Sequence, residues 1–499
     1  MAITTERRDG AAHEPVARRR MYIDGAWADA AKGGTFEDSD PFTGETVAVV
    51  PAGTREDARR AIDAAHGALH AWWKTPPSEK RRLLLKAADI LERRQQEIVK
   101  ILAAETGATF GWAMFQSGFT PGLLREAAGQ VSSVTGEILP ADLPGAFFMA
   151  TRQPAGVVAG IAPWNAPLIL SLRAVALPLA YGNTVVLKPS AETPVAGGLL
   201  YAEIFDEAGF PKGVFNVITN APGHSAEIGD EFIENPKVRR VSFTGSTEAG
   251  RAIAEKAGRH LKRVALELSG YNPLIVLRDA DVDYAVNAAC FGTFLHQGQI
   301  CMSARNLIVE RPIADTFVTK LVAKTKTLGV GDPRIPTTVI GPLINKQQLN
   351  KVRDSVEDAV KKGAKVLVGG NVEGPCFQPT LLTDVKNDMR IDHEECFGPV
   401  AIVTVVDSPG EAVRVANDTR YGLSAGIITR NFDQALDMAE RLETGMVHIN
   451  DQPVHDEPQA PFGGVKDSGF GRMGGRAALE EFTELRWITV QREPRQFPF

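Results

Sequence analysis

Between Val157 and Leu268 short β-branched runs alternate with segments of helical spacing. The strand-like runs read VVAGIA, TVVLK, GVFNVI, RRVSFTG and RVALEL, and helical patterns separate them from about 167, 195 to 208, 223 to 233 and 247 to 258. A strand followed by a crossover helix returns parallel to the first, so this alternation predicts a doubly wound parallel sheet covered by helices on both faces. Ligands of such sheets bind where the strands end at their carboxyl side. A second series starts at LIVL (274–277). It continues through a helix from about 282, NLIVE, amphipathic helices near 313 to 327 and 345 to 362, and the strands KVLVGG, AIVTVV and GIITR. With 499 residues the chain exceeds what one hydrophobic core supports, and the second series reads as a second α/β domain. Residues 56 to 105 read as helix with a solvated charged face.

The net charge of −6 gives no electrostatic footprint for nucleic acid. From Ala155 to Leu187 the only charged side chain is Arg173. Pro163, Asn165, Pro167 and Pro178 interrupt the segment, leaving no membrane span of about 20 apolar residues, and buried parallel strands have the same composition. The four cysteines, Cys290, Cys301, Cys376 and Cys396, show no CxxC spacing and read as reduced thiols. The nine histidines never form HExxH, so no metal site is expected. The first twenty residues mix Arg7, Arg8 and Arg18 to Arg20 with Glu6, Asp9 and Glu14 and lack an apolar signal core. They read as a solvated tail on a cytoplasmic protein.

A few residues stand out chemically. Cys301, in QGQIC, follows a Gln-Gly-Gln turn after the helix from about 282. A lone cysteine is commonly a small core hydrophobe; a backbone-rich turn or a cationic cofactor can instead make it a nucleophile. Glu267 ends an apolar strand, where it is either a solvated loop residue or a carboxylate whose raised pKa suits a general base. Asn165, in PWN after VVAGIA, is either a turn residue or an oxyanion donor. FTGSTEAG (243–250) offers Gly245 for close approach and Ser246 as an N-cap, so a diphosphate fits there, although GxGxxG is absent.

PWN at 163, LKPS at 187, FTGSTEAG at 243, LEL at 266, GQIC at 298, EECFGP at 394 and PFGG at 461, in this order, resemble the aldehyde dehydrogenase superfamily from about Tyr22 to Val490. The resemblance implies a dinucleotide-binding domain (21–137 and 156–266), a catalytic domain (267–447), a return segment at the active site (448–477) and an oligomerisation element (138–155 and 478–499), after a tail over 1–20. It implies Cys301 as nucleophile, Glu267 as the base that activates water, and Asn165 with the Cys301 N–H as oxyanion hole. For NAD or NADP it implies Ile161, Pro163, Trp164, Lys188, Ser190, Ala191, Gly229, Gly245, Ser246, Leu268, Gln348, Glu395 and Phe397. The flanking sequences of residues 448–490 are most similar to bacterial vanillin, salicylaldehyde and benzaldehyde dehydrogenases. An aromatic aldehyde is therefore expected against Arg173, Leu295, Ile300, Met302, Val454 and Phe462, in a homodimer or homotetramer. Arg173 has a bland reading as a paired structural arginine and a functional one as a partner for a ring hydroxyl. Relatives that pass the acyl group to coenzyme A generally lack the carboxylate present here as Glu267.

Three positions depart from the common pattern: LELSGY replaces LELGGK at Ser269 and Tyr271, His296 replaces asparagine, and Ala191 stands where a glutamate often holds the adenosine ribose. Without that carboxylate nothing repels a 2′-phosphate, so both dinucleotides are expected to serve. Ala191→Glu should shift the ratio of kcat/KM values toward NAD through like-charge repulsion of NADP. Initial rates with each dinucleotide measure this, and an unchanged ratio would place ribose recognition elsewhere.

Overall fold

The computed structural model describes residues 16–499. Most of the expected solvated tail therefore lies outside the described residues. Its last part departs from that expectation, since Ala17–Arg18 forms a short strand parallel to Thr46–Pro51, pairing Ala17 with Ala48.

The alternation in the sequence becomes an eight-stranded sheet. Five parallel strands lie side by side at its centre, in the order Arg263–Glu267, Val238–Thr244, Val157–Ile161, Thr184–Lys188 and Phe215–Val217. Antiparallel strands flank them: Gly469–Phe470 on one side, and Met21–Ile23 followed by Ala26–Ala28 on the other. Helices on both faces bury the runs Val157–Ile161 and Thr184–Lys188 completely, which is why they read as continuous apolar stretches and do not alternate. Register brings Ile161 opposite Lys188 and Thr244 opposite Glu267, so the carboxyl ends of neighbouring strands form one ledge.

The second sheet has seven strands. Asn272–Val276, Ala304–Glu310, Val400–Val406, Thr380–Thr383, Ser424–Ile428 and Met446–Ile449 run parallel, and Lys365–Val368 caps one edge antiparallel. The amphipathic helices expected near 313 to 327 and 345 to 362 are Arg311–Thr325 and Lys346–Lys361. Only residues 268–271 separate the end of the last parallel strand of the first sheet from the start of the second. The chain closes this seam from the far end: Gly469 pairs with Glu267 at φ +105, where a Cβ would lie 2.1 Å from the Leu266 carbonyl oxygen. Glycine is required for that approach.

One element was not expected. Helix Phe110–Gln130 contains Pro121 and Gly111, Gly118, Gly122 and Gly129, a composition that argues against helix. Packing overrides it, because Trp112, Ala113, Leu124 and Ala127 are buried in the largest apolar core. The proposed oligomerisation element is a three-stranded antiparallel sheet, Glu137–Leu139, Ala146–Pro154 and Thr483–Gln491, that carries exposed Ile138, Leu485 and Trp487. Among the described residues no helix is long and apolar enough to cross a membrane.

Candidate active site

The short link 268–271 forces the end of one sheet against the start of the other. Glu267 closes the Arg263–Glu267 strand, and Cys301 lies just ahead of the Ala304–Glu310 strand that pairs with Asn272–Val276. Asn272 fixes their relation. Its Nδ2 donates to the carbonyls of Cys301 (2.8 Å) and Ser303 (3.0 Å), and its Oδ1 accepts from the Ser424 N–H at 3.1 Å.

The turn before Cys301 is left-handed through three residues, His296 (φ 49), Gln297 (φ 55) and Gly298 (φ 65). Two of these are not glycine, and such backbone persists only where surroundings over-determine it. Here they do. Gln297 Nε2 donates to the carbonyls of Gly107 (3.2 Å) and Pro342 (3.0 Å), Gln299 Oε1 accepts from the Ile344 N–H (3.0 Å), and the buried Arg305 guanidinium donates to the carbonyls of Gly298, Gly398 and Val400. His296 stacks on Trp112 with ring centroids 5.3 Å apart, and burial pushes it down to about 3, so it is neutral. Trp112 Nε1 in turn donates to the Asn165 carbonyl at 3.2 Å.

Two cavities meet at this point. A polar cleft of about 630 Å³ is lined by Pro163, Trp164, Thr244, Gly245, Ser246, Glu267, Ser269, Gln348, Lys351, Glu395 and Phe397. A smaller, apolar cavity is lined by Trp112, Phe115, Ala166, Ile169, Ile300, Met302, Val454, Asp456 and Phe462. Cys301, Asn165 and Leu170 line both. The sequence reading thus brings its nucleophile, base and oxyanion donor to one junction.

Electrostatics there are unusual. Glu267 is 2% exposed, and among the described residues no N–H or O–H donor reaches either of its oxygens. Burial pushes it up to about 8; the polar hydrogen within reach is the Cys301 thiol, which pulls it partly back. Burial also raises the Cys301 thiol well above its usual value, and the negative charges of Glu267, Glu395 and Asp456 raise it further. Both groups are thus held toward their neutral forms, and Glu267 must lose its own proton before it can accept the one on the thiol. Cys290 and Cys376, pushed up by burial to about 11 and about 12, border neither cavity.

In the polar cleft, Glu395 accepts from the Gly270 N–H at 3.1 Å and from the Ser269 hydroxyl, and burial raises its pKa. Ser269, which replaces a glycine of the common pattern, therefore bears on Glu395; Tyr271 faces the other way, buried beside Cys396 and Arg305. Gln348 Nε2 is committed to the carbonyls of Cys396 and Phe397, and Phe397 stands edge-on to Trp164 at 5.4 Å. Ser246 caps helix Thr247–Arg259, accepting from the Ala249 N–H at 3.2 Å.

Several expected residues lie outside the cavity walls. Lys188 sits on the carboxyl ledge, buried and pushed down to about 8, with the Pro189 carbonyl (3.1 Å) as its one acceptor among the described residues. Ser190 and Ala191 follow it. Ile161 is buried at a strand end, Leu268 packs against Gly250, and Gly229 is inside helix Ser225–Glu234. Of the expected substrate contacts, Leu295 packs into the core and Arg173 is shut behind the wall, paired with Asp456 and lying 4.7 Å over the Phe462 ring. Arg173 thus has the paired arrangement of its bland reading, its buried guanidinium matched by the Asp456 carboxylate. Lys351, Trp112, Phe115 and Asp456 were missed. Lys351 was signalled by its i+3 spacing from Gln348, and the aromatics by their spacing on a helix disguised by glycine.

Fold and cavities together define a two-domain α/β enzyme. The Aldehyde dehydrogenase family model matches residues 27–488. The vanillin dehydrogenase of Pseudomonas fluorescens is 49% identical over 478 residues, 96% of this chain and 99% of that protein. An NAD(+) benzaldehyde dehydrogenase of Pseudomonas putida is 45% identical over 474 residues, 95% of this chain and 96% of that one. The crystal structure of a salicylaldehyde dehydrogenase from Pseudomonas putida G7 complexed with salicylaldehyde aligns with a TM-score of 0.94 at 43% identity, covering 97% of this chain and 100% of that one. The chain belongs to the aldehyde dehydrogenase family and is an oxidoreductase acting on aldehydes.

Because the Glu267 charge raises the Cys301 thiol, removing that charge lowers it. In Glu267→Gln, alkylation of Cys301 by iodoacetamide should reach half its maximal rate at a pH lower by about one unit or more. An unchanged or higher midpoint would show that the two groups are not coupled.

Proposed function

We propose that the protein oxidises an aromatic aldehyde to its carboxylic acid with NAD or NADP, through a thioester on Cys301. The observation that carries this reading is that Cys301 and Asn165 line both cavities while Glu267 faces the thiol from the polar side. The relatives named for vanillin, benzaldehyde and salicylaldehyde support the substrate class. The apolar cavity, walled by Trp112, Phe115 and Phe462, suits a planar ring.

The residues of the polar cleft and of the strand-end ledge outside its walls fit a dinucleotide. On the ledge Lys188 is a buried ammonium without a carboxylate partner among the described residues, which leaves it for ribose oxygens, and Ala191 three residues on leaves room for a 2′-phosphate. The N-terminus of the helix capped by Ser246 suits a pyrophosphate, and Glu395 has carboxylate capacity for ribose hydroxyls. When bound there, the nicotinamide supplies the hydride acceptor.

In this reading Glu267 as carboxylate takes the thiol proton and the sulfur attacks the carbonyl carbon of the aldehyde held in the apolar cavity. The resulting oxyanion is met by the Asn165 side-chain amide, which has no hydrogen-bond partner among the described residues, and by the Cys301 backbone N–H. After oxidation to the thioester Glu267 releases the thiol proton to solvent; as carboxylate again it takes a proton from water, the hydroxide attacks the acyl carbon, the carboxylic acid leaves and the thiolate is restored. The exposed apolar residues of the three-stranded sheet suit self-association as a homodimer or homotetramer. The chain's composition suits a cytoplasmic setting.

Rapid mixing of Glu267→Gln with benzaldehyde and NAD should give a burst of about one NADH per site followed by slow turnover, because the variant lacks the base for water. Cys301→Ala should give no burst while still binding the dinucleotide. In the wild type the steady-state rate should climb as pH rises through about 8, where Glu267 becomes a carboxylate. Wild-type turnover by Glu267→Gln would remove Glu267 as base, and faster oxidation of acetaldehyde than of every aromatic aldehyde would overturn the substrate class.

A further inference from the structure

The apolar cavity holds one carboxylate. Asp456 forms part of its wall among Trp112, Phe115, Ile169, Val454 and Phe462, and its side chain is 9% exposed. Arg173 pairs with its Oδ1 from behind, also donates to the Met473 carbonyl, and is itself only 1% exposed. No other side chain among the described residues donates to the carboxylate. Burial raises the Asp456 carboxyl and the Arg173 guanidinium pulls it back, and the charge it carries in turn raises both Cys301 and Glu267.

A cavity meant for a plain hydrocarbon ring gains nothing from this arrangement. A buried ion pair is generally no more stable than well-packed apolar residues of the same volume, so its presence in the wall of a ring-binding cavity points to a polar group on the ligand. We propose that Asp456 is a specificity residue that accepts a hydrogen bond from a ring hydroxyl of a hydroxybenzaldehyde, and that Arg173 is a positioning residue that keeps this carboxylate charged and aimed into the cavity. This rests on the reading that the apolar cavity receives the aldehyde.

The chemistry favours such a contact beyond affinity. A hydroxyl conjugated with an aldehyde delivers negative charge to the carbonyl when it ionises, which blunts attack by sulfur. A carboxylate facing that hydroxyl disfavours the phenolate and keeps the carbonyl electrophilic. A methyl group in place of the hydroxyl has the same size and cannot donate, so the site's carboxylate would be left facing an apolar group.

The test compares kcat/KM for benzaldehyde and for the 2-, 3- and 4-hydroxybenzaldehydes against the matching methylbenzaldehydes. With the wild type, at least one hydroxy isomer should exceed its methyl counterpart by about tenfold or more, the usual worth of a hydrogen bond to a charged group. Replacing Asp456 alone strands a buried arginine, so the paired variant Arg173→Met with Asp456→Leu removes both charges together; in it that ratio should fall to about one. Wild-type ratios all within about twofold of one would overturn the proposal, as would a ratio that survives the double substitution. If the double variant does not fold, the wild-type ratios decide alone. Benzaldehyde separates the two levels of the argument: its oxidation with flat ratios removes the role of Asp456, whereas its failure to react removes the aromatic-aldehyde reading itself.

Discussion

The structure turns on a thiol and a carboxyl buried against each other at the seam between two parallel sheets. Burial holds both Cys301 and Glu267 toward their protonated forms, and the positive charge of Arg173 pulls Glu267 back only in part. Their mutual contact lets Glu267, once it is a carboxylate, take the thiol's proton. Such a contact tolerates little movement, and the surrounding architecture restrains it. The link 268–271 is too short to let the sheets separate, Asn272 binds the carbonyls on either side of the nucleophile's turn, and Arg305 ties that turn to the loop carrying Glu395 and Phe397. Gly270 belongs to the same set, because a Cβ there would stand 2.3 Å from the Cys301 carbonyl oxygen.

Around this contact the molecule divides its chemistry spatially. Carboxyl ends of parallel strands, a helix N-terminus and buried carboxyls face the polar cleft, whereas residues from helices Phe110–Gln130 and Pro167–Arg173 and from the return segment face the apolar cavity. The division follows from topology. A parallel sheet gathers backbone N–H groups and loops at one edge, while only side chains contributed by distant segments can close an apolar wall.

That difference also decides what could be read in the sequence. Strands buried on both faces announce themselves as unbroken apolar runs, and Cys301, Glu267 and Asn165 sit in short motifs at strand or helix ends, so the two parallel sheets and the residues at their junction were legible, although the order of the strands was not. The apolar wall was not. Trp112 and Phe115 lie on a helix whose glycines and Pro121 conceal it, and the helix forms only because its apolar face is buried in the core. Arg173 could be recognised as the one charge in an apolar stretch. Its partner Asp456 lies 283 residues further along the chain, so no local pattern could show whether the guanidinium faces the ligand or stands behind it.

The central claim is that carbon–sulfur chemistry occurs on Cys301. Acid-quenching the wild-type enzyme during turnover of benzaldehyde and mapping its peptides by mass spectrometry tests this most directly. The account predicts one benzoyl group on the peptide containing Cys301, absent without dinucleotide and released by hydroxylamine as a thioester is. Turnover with no acyl group on Cys301, or with the group on Cys396, would contradict it.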